Sequence, residues 1–303
     1  MIIIGGATAT GKSSVAIQVA KKLNGEIISA DSMQIYKYMD IGTAKIKKEE
    51  QEGIPHYMID IIEPYESFSV ANFSDMVKPI IADIEKRGKL AIVVGGTGLY
   101  INSLIYDYKP AEFNEELRKK LYEEYNIYGL DYIYNKLTKI DYLATKRIHK
   151  NNVKRVIRAL EVKILTGNSI LDKSDKSNVC QYPIYILNKP REKLYANIDE
   201  RVDKMFLQGL IEEVKDLVSN KHINFDNQSM QAIGYKEFKE YFNNEINETD
   251  LRNLIKQHTR NYAKRQITWF KSIINANWYD AENQDDIVLN IINDNSITNK
   301  KRN

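Results

Sequence analysis

The sequence predicts an α/β protein in which helices flank a parallel sheet and an all-helical insertion interrupts that core. Over residues 1–105, short β-branched runs alternate with helical segments, which is the pattern of a parallel sheet. From about Pro110 to Asn178, strand-like runs disappear and charged helical segments replace them. We therefore expect residues 1–109 and 181–303 to form one core and residues 110–180 to form a helical insertion.

The spacing of apolar residues predicts where each element lies. Short apolar runs predict core strands at residues 1–4, 26–30, 90–94 and 182–187. Apolar residues at helical spacing predict core helices at residues 14–23, 73–87, 99–105, 193–206, 211–218, 235–241 and 250–274. The insertion is expected to contain helices at residues 114–125, 130–138 and 152–166. The polar tail beyond Asp280 is expected to fray.

A glycine-rich loop between the first strand and the first helix matches the pattern G-x-x-x-x-G-K-[ST]. Its glycines let backbone N–H groups turn towards phosphate oxygens, Lys12 adds a positive charge, and the Ser13 hydroxyl can hold Mg²⁺. The alternative is a glycine-rich turn without a ligand. Because a strand precedes the loop and a helix follows it, we interpret it as a P-loop for a polyphosphate, and the core as P-loop NTPase-like. The residues of this phosphate loop are Gly6, Ala7, Thr8, Ala9, Thr10, Gly11, Lys12 and Ser13.

Two polar residues follow other predicted strands of the same sheet. Asp31 comes directly after the second strand, and Thr97 follows the third. Ligands of open parallel sheets bind beyond the carboxyl ends of the strands, so both residues should converge with the phosphate loop on one cleft. An Asp at such a position can also form a turn or cap a helix, so its position alone leaves catalysis and structure open.

The bulk composition limits the class of protein. The chain has 44 basic and 41 acidic residues and a net charge of +3, which alone implies no polyanionic partner. Its single cysteine, Cys180, excludes an internal disulfide and a cysteine metal cluster, in keeping with a reducing compartment. No apolar run approaches the roughly 18 residues of a membrane span, and the start lacks the basic segment of a signal peptide. We expect a cytoplasmic protein that contacts no membrane and acts as a monomer.

Residues 251–271 form a predicted helix that contains no acidic residue. Three of its cations, Lys256, Arg260 and Lys264, recur every four residues and therefore share one face. Such a run is often only a solvated helix face. A face of a single sign on a nearly neutral protein nevertheless favours contact with phosphate or RNA.

Seven strings extend the evidence beyond a P-loop. They are ADSMQIY at residues 30–36, MDIGTAK at 39–45, IPHYMID at 54–60, VGGTGLY at 94–100, RALEV at 158–162, QAIGYKE at 231–237 and YAKRQITWF at 262–270. In this order they closely resemble the bacterial tRNA dimethylallyltransferases, which are the tRNA isopentenyltransferases of the IPP transferase family. The resemblance extends from residue 2 to about residue 271.

The resemblance implies a specific reaction. Members of this family move a dimethylallyl group from dimethylallyl pyrophosphate to the exocyclic N6 of an adenosine. That adenosine lies immediately 3′ of the anticodon in tRNAs that read codons beginning with U. The expected partners are therefore tRNA, through its anticodon stem-loop, and dimethylallyl pyrophosphate, and the expected cofactor is Mg²⁺.

The resemblance also implies roles for individual residues. The phosphate loop would hold the pyrophosphate leaving group, with Lys12, Mg²⁺ on Ser13, and Arg201 stabilising its charge. Asp31 resembles the family's general base, which takes a proton from the attacking amine, and Thr97 would help to place the amine or the phosphate. The catalytic residues implied are Ser13, Asp31, Thr97 and Arg201.

RNA contacts are implied on three parts of the chain. The residues that follow Asp31 should line the path of a base flipped out of its stack, together with Thr97, and these are Met33, Gln34, Ile35 and Tyr36. The basic helix should grip the RNA through Arg260, Lys264, Arg265 and Gln266. The insertion, which resembles an anticodon-arm clamp, should contribute Arg118, Lys154, Arg155 and Arg158.

Departures from the family pattern and alternative functions bear on this interpretation. Ala7 stands where a proline is usual, Lys150 and Asn152 depart from a family string in the insertion, and Asn197 replaces a frequent arginine. The main alternative is an adenylate isopentenyltransferase that acts on free AMP or ADP, which needs neither the insertion nor the basic helix. A P-loop small-molecule kinase leaves the string at residues 94–100 unexplained. A non-catalytic RNA-binding module would not need both the phosphate loop and Asp31.

Overall fold

The computed structural model describes residues 1–106, 114–172 and 182–300, excluding the side chains of residues 296–300. The chain forms two compact units, one of Met1–Ile105 with Cys180–Asn303 and the other of Tyr106–Val179. Apart from Tyr106, the described residues that were predicted for the core lie in the first unit, and those predicted for the insertion lie in the second. The predicted boundaries of the insertion, at residues 109–110 and 180–181, lie outside the described residues, as does Cys180.

A six-stranded parallel sheet, in the order β3-β2-β4-β1-β5-β6, forms the centre of the core unit. Its strands are β1 (Ile2–Gly6), β2 (Gly25–Ala30), β3 (His56–Tyr57), β4 (Leu90–Gly95), β5 (Ile184–Asn188) and β6 (Asn277–Asp280). The predicted α/β class and the parallel sheet are confirmed. The edge strands β3 and β6 were not predicted, because they have only two and four residues and none of them is fully buried.

Helices cover the sheet and make up the insertion. Those before and within the insertion are α1 (Lys12–Leu23), α2 (Val70–Lys86), α3 (Gly98–Ile105), α4 (Glu115–Ile140), α5 (Tyr142–Thr145) and α6 (Val153–Thr166). Those after it are α7 (Arg191–Leu207), α8 (Leu210–Ser219), α9 (Phe238–Phe242), α10 (Glu248–Phe270) and α11 (Gln284–Lys300). In the described residues, no helix has an apolar stretch long enough to cross a membrane.

Burial of apolar side chains between the sheet and α1 positions the phosphate loop. Ile2 and Ile4 of β1 and Ile92 of β4 belong to one buried cluster with Val15 and Val19 of α1. Burying each such side chain stabilises the fold by about 1.5–3 kcal/mol. The strand and the helix on either side of the phosphate loop are therefore held by the core, which makes the loop's backbone rigid at both ends.

Up to Lys300, the C-terminal segment corrects the prediction that the tail frays, and residues 301–303 lie outside the described residues. The segment forms α11, which packs on α1 and buries Ile287, Val288 and Ile291 in the core cluster. At its start, the Gln284 side chain accepts a hydrogen bond of 3.0 Å from the Ser14 hydroxyl of α1. The prediction was wrong because the segment is rich in Asn and Asp, while its few apolar residues recur at helical spacing.

The insertion unit is helical, as predicted. Within it, α4 contains Gly129 at φ +82°, a non-helical residue that separates the two helices predicted over residues 114–125 and 130–138. Its small core includes Leu121, Leu137 and Ile157, with further apolar side chains from the same helices. Asn114 and Asn152 cap α4 and α6 by accepting hydrogen bonds from backbone N–H groups in the first turns.

Candidate functional site

The phosphate loop turns between β1 and α1 in the manner that its sequence predicts. Gly11 precedes the helix at φ +91°, a conformation that residues with a side chain rarely adopt. Inside the turn, the buried Thr10 hydroxyl donates to the Ala7 carbonyl at 2.8 Å. The loop therefore leads into the N-terminus of α1, where unpaired backbone N–H groups favour an anion. The exposed Ser13 hydroxyl lies on this first turn and lines the cleft.

Two cations face the cleft at the phosphate loop. Lys12 donates to the Ala7 carbonyl at 2.6 Å, and Arg201 of α7 donates to the Thr8 hydroxyl at 3.2 Å. Among the described residues, no carboxylate lies within ion-pair distance of either cation. Burial, and then the charge of Arg201, lower the pKa of Lys12 to about 8, although Asp31 opposes this, and burial also lowers the pKa of Arg201. An anionic ligand would relieve this concentration of positive charge.

Asp31 and Thr97 lie together at the carboxyl ends of β2 and β4, as predicted. The Asp31 Oδ1 atom accepts from the Met33 backbone N–H at 2.9 Å, so the residue also forms the turn that its position allows. The Thr97 hydroxyl accepts from the Ser32 N–H at 3.0 Å and so joins the loops after the two strands. Both residues are partly exposed, and Asp31 lines the cleft.

Tyr262 of α10 also lies in this cleft, and sequence reasoning assigned it no role. Burial raises its pKa to about 12, and the nearby Asp31 carboxylate contributes to the shift, while hydrogen bonds with Thr97 and Gln266 oppose it. The phenol therefore remains protonated at neutral pH. The string YAKRQITWF, which begins at Tyr262, was the signal that could have identified it.

Gln266 has a structural function that the sequence did not indicate. Its side-chain oxygen accepts from the Thr8 backbone N–H at 2.9 Å, and its side-chain nitrogen donates to the Gly96 carbonyl at 3.0 Å. Only 6% of its surface is exposed. One amide on α10 thus connects the phosphate loop with the loop after β4, and its predicted contact with RNA remains a prediction.

The cleft that these residues enclose has a volume of about 550 Å³. Its lining joins the phosphate loop and the residues after β2 and β4 with parts of α7 and α10. The phosphate loop and the segment after β2 therefore converge on one cleft as predicted, whereas Thr97 does not line it. Met33 and Gln34 line the cleft, whereas Ile35 and Tyr36 have no exposed surface. The prediction for these two is corrected: both side chains are fully buried in the core, which leaves them no surface that could line a path for a base.

The cations of α10 differ in their surroundings. Acidic residues of α7 pair with three of them: Arg252 and Lys256 with Asp203, at 3.6 and 2.7 Å, and Arg260 with Asp199 at 2.5 Å. Lys264 is exposed and has no acidic partner among the described residues. Arg265 is also exposed, lines the cleft, and lies 5.7 Å from the ring of Tyr262. The acid-free stretch of sequence is thus partly neutralised in three dimensions, and the unpaired charge is concentrated near the cleft.

In the insertion, the four predicted RNA-contacting cations fall into two pairs. Arg118 of α4 and Arg158 of α6 both donate to the fully buried Glu161 carboxylate of α6, at 2.5 and 2.7 Å, so that the Arg118 bond connects the two helices. Lys154 and Arg155 are exposed in the first turn of α6. The first pair therefore has a structural role besides the one predicted, and the second pair is accessible to a polyanion.

Comparison with known proteins identifies the family. A family model described as IPP transferase matches residues 34–273. The chain belongs to the IPP transferase family. It is 50% identical over 303 residues to a tRNA dimethylallyltransferase of Thermoanaerobacter sp. (strain X514), covering 96% of this chain and 96% of that protein. A tRNA dimethylallyltransferase of Clostridioides difficile (strain 630) is 48% identical over 292 residues, covering 95% of this chain and 93% of that one.

Solved structures give the same result for this member of the family. The full-length tRNA isopentenylpyrophosphate transferase from Bacillus halodurans has a TM-score of 0.73 and 43% identity, covering 97% of this chain and 95% of that chain. A eukaryotic dimethylallyltransferase described as acting on tRNA has a TM-score of 0.78 and 32% identity, covering 93% and 73% of the two chains. The resemblance inferred from the seven strings is confirmed.

Proposed function

We propose that this protein transfers a dimethylallyl group from dimethylallyl pyrophosphate to N6 of the adenosine immediately 3′ of the anticodon, in tRNAs that read codons beginning with U. The observation that carries the proposal is the juxtaposition of Lys12 and Arg201, which lack acidic partners among the described residues, with Asp31 in one cleft. The cations can bind a pyrophosphate, and the carboxylate can accept a proton from a nucleophile. The same reaction is supported by relatives about 50% identical, which are named tRNA dimethylallyltransferases.

In the proposed reaction, the lone pair of N6 attacks C1 of the dimethylallyl group. A bond between N6 and C1 forms, and the bond between C1 and the pyrophosphate oxygen breaks. Pyrophosphate leaves with the electron pair of that bond, and the charge that develops on it is stabilised by Lys12 and Arg201. Asp31 accepts the proton that N6 loses, which compensates for the low nucleophilicity of an aromatic amine. Tyr262 and Thr97, next to Asp31, would help to orient the base.

We propose Mg²⁺ as the cofactor because the cleft offers a side-chain oxygen atom that could bind it. The Ser13 hydroxyl lines the cleft and offers an oxygen ligand of the kind that Mg²⁺ prefers. No cluster of three His, Cys, Asp or Glu side chains suited to a metal occurs in the part of the chain that the structure describes. Ser13 would therefore hold the ion together with pyrophosphate oxygens and water, and the ion would supply further charge neutralisation on the leaving group.

A direct test offers two acceptors to the full-length protein with labelled dimethylallyl pyrophosphate and Mg²⁺. One acceptor is an anticodon stem-loop with adenosine 3′ of the anticodon, and the other is free AMP. We expect label on the stem-loop alone, since Lys264, Arg265 and the exposed cations of the insertion suit a polyanionic acceptor. Label on AMP alone would instead identify an adenylate isopentenyltransferase. We further propose that the protein works as a monomer in the cytoplasm, and sedimentation of the purified protein would check its oligomeric state.

The activity should depend on pH through Lys12. Because the pKa of Lys12 is about 8, kcat/KM for dimethylallyl pyrophosphate should fall about tenfold per pH unit above that value as the ammonium group loses its proton. Below pH 8 the group is charged and binds the anion fully. The Lys12→Arg variant should lose this inflection, since arginine stays protonated. An unchanged profile in the variant would show that another group titrates.

The salt dependence of RNA binding should distinguish cations of α10 that contact phosphates from those already paired with acidic residues. Replacing Lys264 with Gln should reduce the slope of log K against log salt concentration by about 0.7–0.9, the value for one lost phosphate contact. Lys256→Gln is the matched control, because Asp203 already pairs with Lys256 at 2.7 Å. Equal slopes for the wild type and the Lys264 variant would mean that this cation is only solvated.

A further inference from the structure

A loop without regular secondary structure forms one wall of the cleft. It comprises Asp40–Ala44, and we call it the 40–44 loop. Gly42, Thr43 and Ala44 line the cleft, as do Met33 and Gln34 after Asp31. The Gln34 side-chain nitrogen lies 3.5 Å from the carbonyl oxygens of Thr43 and Ala44, so the loop is in contact with the segment that carries the proposed base.

Glu213 of α8 holds this loop through its backbone. One carboxylate oxygen accepts from the N–H groups of Asp40 and Ile41, at 2.9 and 2.7 Å, and the other accepts from the N–H of Gly42 at 3.1 Å. The hydroxyl of Tyr235 donates to the second oxygen at 2.7 Å. Three successive backbone donors therefore converge on one half-buried carboxylate, and hydrogen bonds to a charged acceptor are stronger than neutral ones.

Tyr235 fixes the same loop by packing. It is fully buried, and a Cβ atom added to Gly42 would lie 2.5 Å from its ring, so the loop backbone can only rest on the ring where residue 42 is glycine. On the other side, the Lys45 ammonium donates to the Tyr36 carbonyl at 2.8 Å and pairs with Asp40 and Asp60. Glu213 and Tyr235 thus set the position of residues 40–42, and Lys45 sets the end of the loop.

We propose that Glu213 is a positioning residue for the RNA acceptor: by fixing the 40–44 loop beside Met33 and Gln34, it sets the wall against which the target adenosine and its neighbours bind. The inference rests on the proposed function. Lys12 and Arg201, which would hold the pyrophosphate, make no contact with Glu213 among the described hydrogen bonds and ion pairs. The role is therefore specific to the acceptor and should leave the prenyl donor unaffected.

The Glu213→Gln variant tests this role. In this variant an amide nitrogen replaces one carboxylate oxygen and cannot accept a hydrogen bond from a backbone N–H. The loop therefore loses part of its support, while the shape of the side chain is kept. We expect KM for the stem-loop to rise about tenfold and KM for dimethylallyl pyrophosphate to stay within about twofold. Amide hydrogen exchange at residues 40–42 should become faster in the free variant. Glu212→Gln, at an exposed neighbouring site of the same helix, is the matched control and should change neither the two KM values nor the amide exchange at residues 40–42.

The outcomes separate the two proposals. An unchanged KM for the stem-loop, or an equal rise in KM for both substrates, would overturn the role of Glu213. Unchanged amide exchange at residues 40–42 would also overturn it, independently of any activity. Wild-type protein that transfers no dimethylallyl group to RNA would overturn the proposed function itself, and with it the acceptor role.

Discussion

Replacing Asp31 with Asn is expected to lower kcat by about 10²–10⁴ and to leave the affinity for the stem-loop nearly unchanged. A positioned general base contributes a factor of this size, and the amide cannot take the proton from N6. The substitution is conservative for the fold, since the side-chain oxygen of Asn can still accept from the Met33 N–H that now bonds Asp31 Oδ1 at 2.9 Å. Single-turnover rates and RNA binding, measured separately, check both parts of the expectation.

The experiment needs two precautions. Asp31 raises the pKa of Lys12, so its removal would shift the basic limb of the pH profile downwards, and rates should be compared well below pH 8. Asp75→Asn, at an exposed site on α2, is the matched control for loss of one carboxylate. A wild-type rate in Asp31→Asn would remove Asp31 from the proposed chemistry and leave it as the residue that forms the turn.

Replacing Arg201 with Gln is expected to lower kcat/KM for dimethylallyl pyrophosphate by about 10²–10³, the usual effect of removing one preorganised donor to a developing charge. Most of the loss should appear in kcat, because the leaving group carries more charge in the transition state than in the bound substrate. The same change should raise the pKa of Lys12, since the Arg201 charge helps to lower it. Steady-state kinetics with varied donor, repeated across pH, test both effects.

Lys204 supplies the control for Arg201. It lies one turn further along α7, is exposed, and pairs with Glu200 at 2.6 Å. Lys204→Gln should therefore change kcat/KM by less than about twofold, as expected for a surface ion pair. If both variants lost activity equally, the effect would come from the general charge of α7 and would contradict a specific role for Arg201.

Local sequence patterns were sufficient to predict the phosphate loop and the positions of Asp31 and Thr97. Each depends on the order of strand, loop and helix, and parallel strands bring their carboxyl ends to one edge of the sheet whatever the order of the strands. The inward packing of Ile35 and Tyr36 was missed because a turn follows Asp31, and residues in a turn have no fixed periodicity from which burial can be inferred.

Contacts between distant segments could not be predicted. The acids that neutralise Lys256 and Arg260 lie on α7, more than 50 residues earlier in the chain, so a charge count of α10 alone overestimates its free charge. Gln266 similarly accepts from the Thr8 N–H, which is 258 residues away in sequence, and Glu213 accepts from the Asp40 N–H, which is 173 residues away. Such roles depend on which helix packs beside which loop, and that follows only from the folded core.

The proposed reaction places the transferred group at a single position on the RNA. The most direct measurement incubates the protein with dimethylallyl pyrophosphate, Mg²⁺ and two stem-loops that differ only in whether the residue 3′ of the anticodon is adenosine or guanosine. Nuclease digestion and mass spectrometry then locate the added group. We expect one dimethylallyl group on N6 of that adenosine and none on the guanosine stem-loop. Modification at another adenosine, or equal modification of both RNAs, would contradict the proposed reaction.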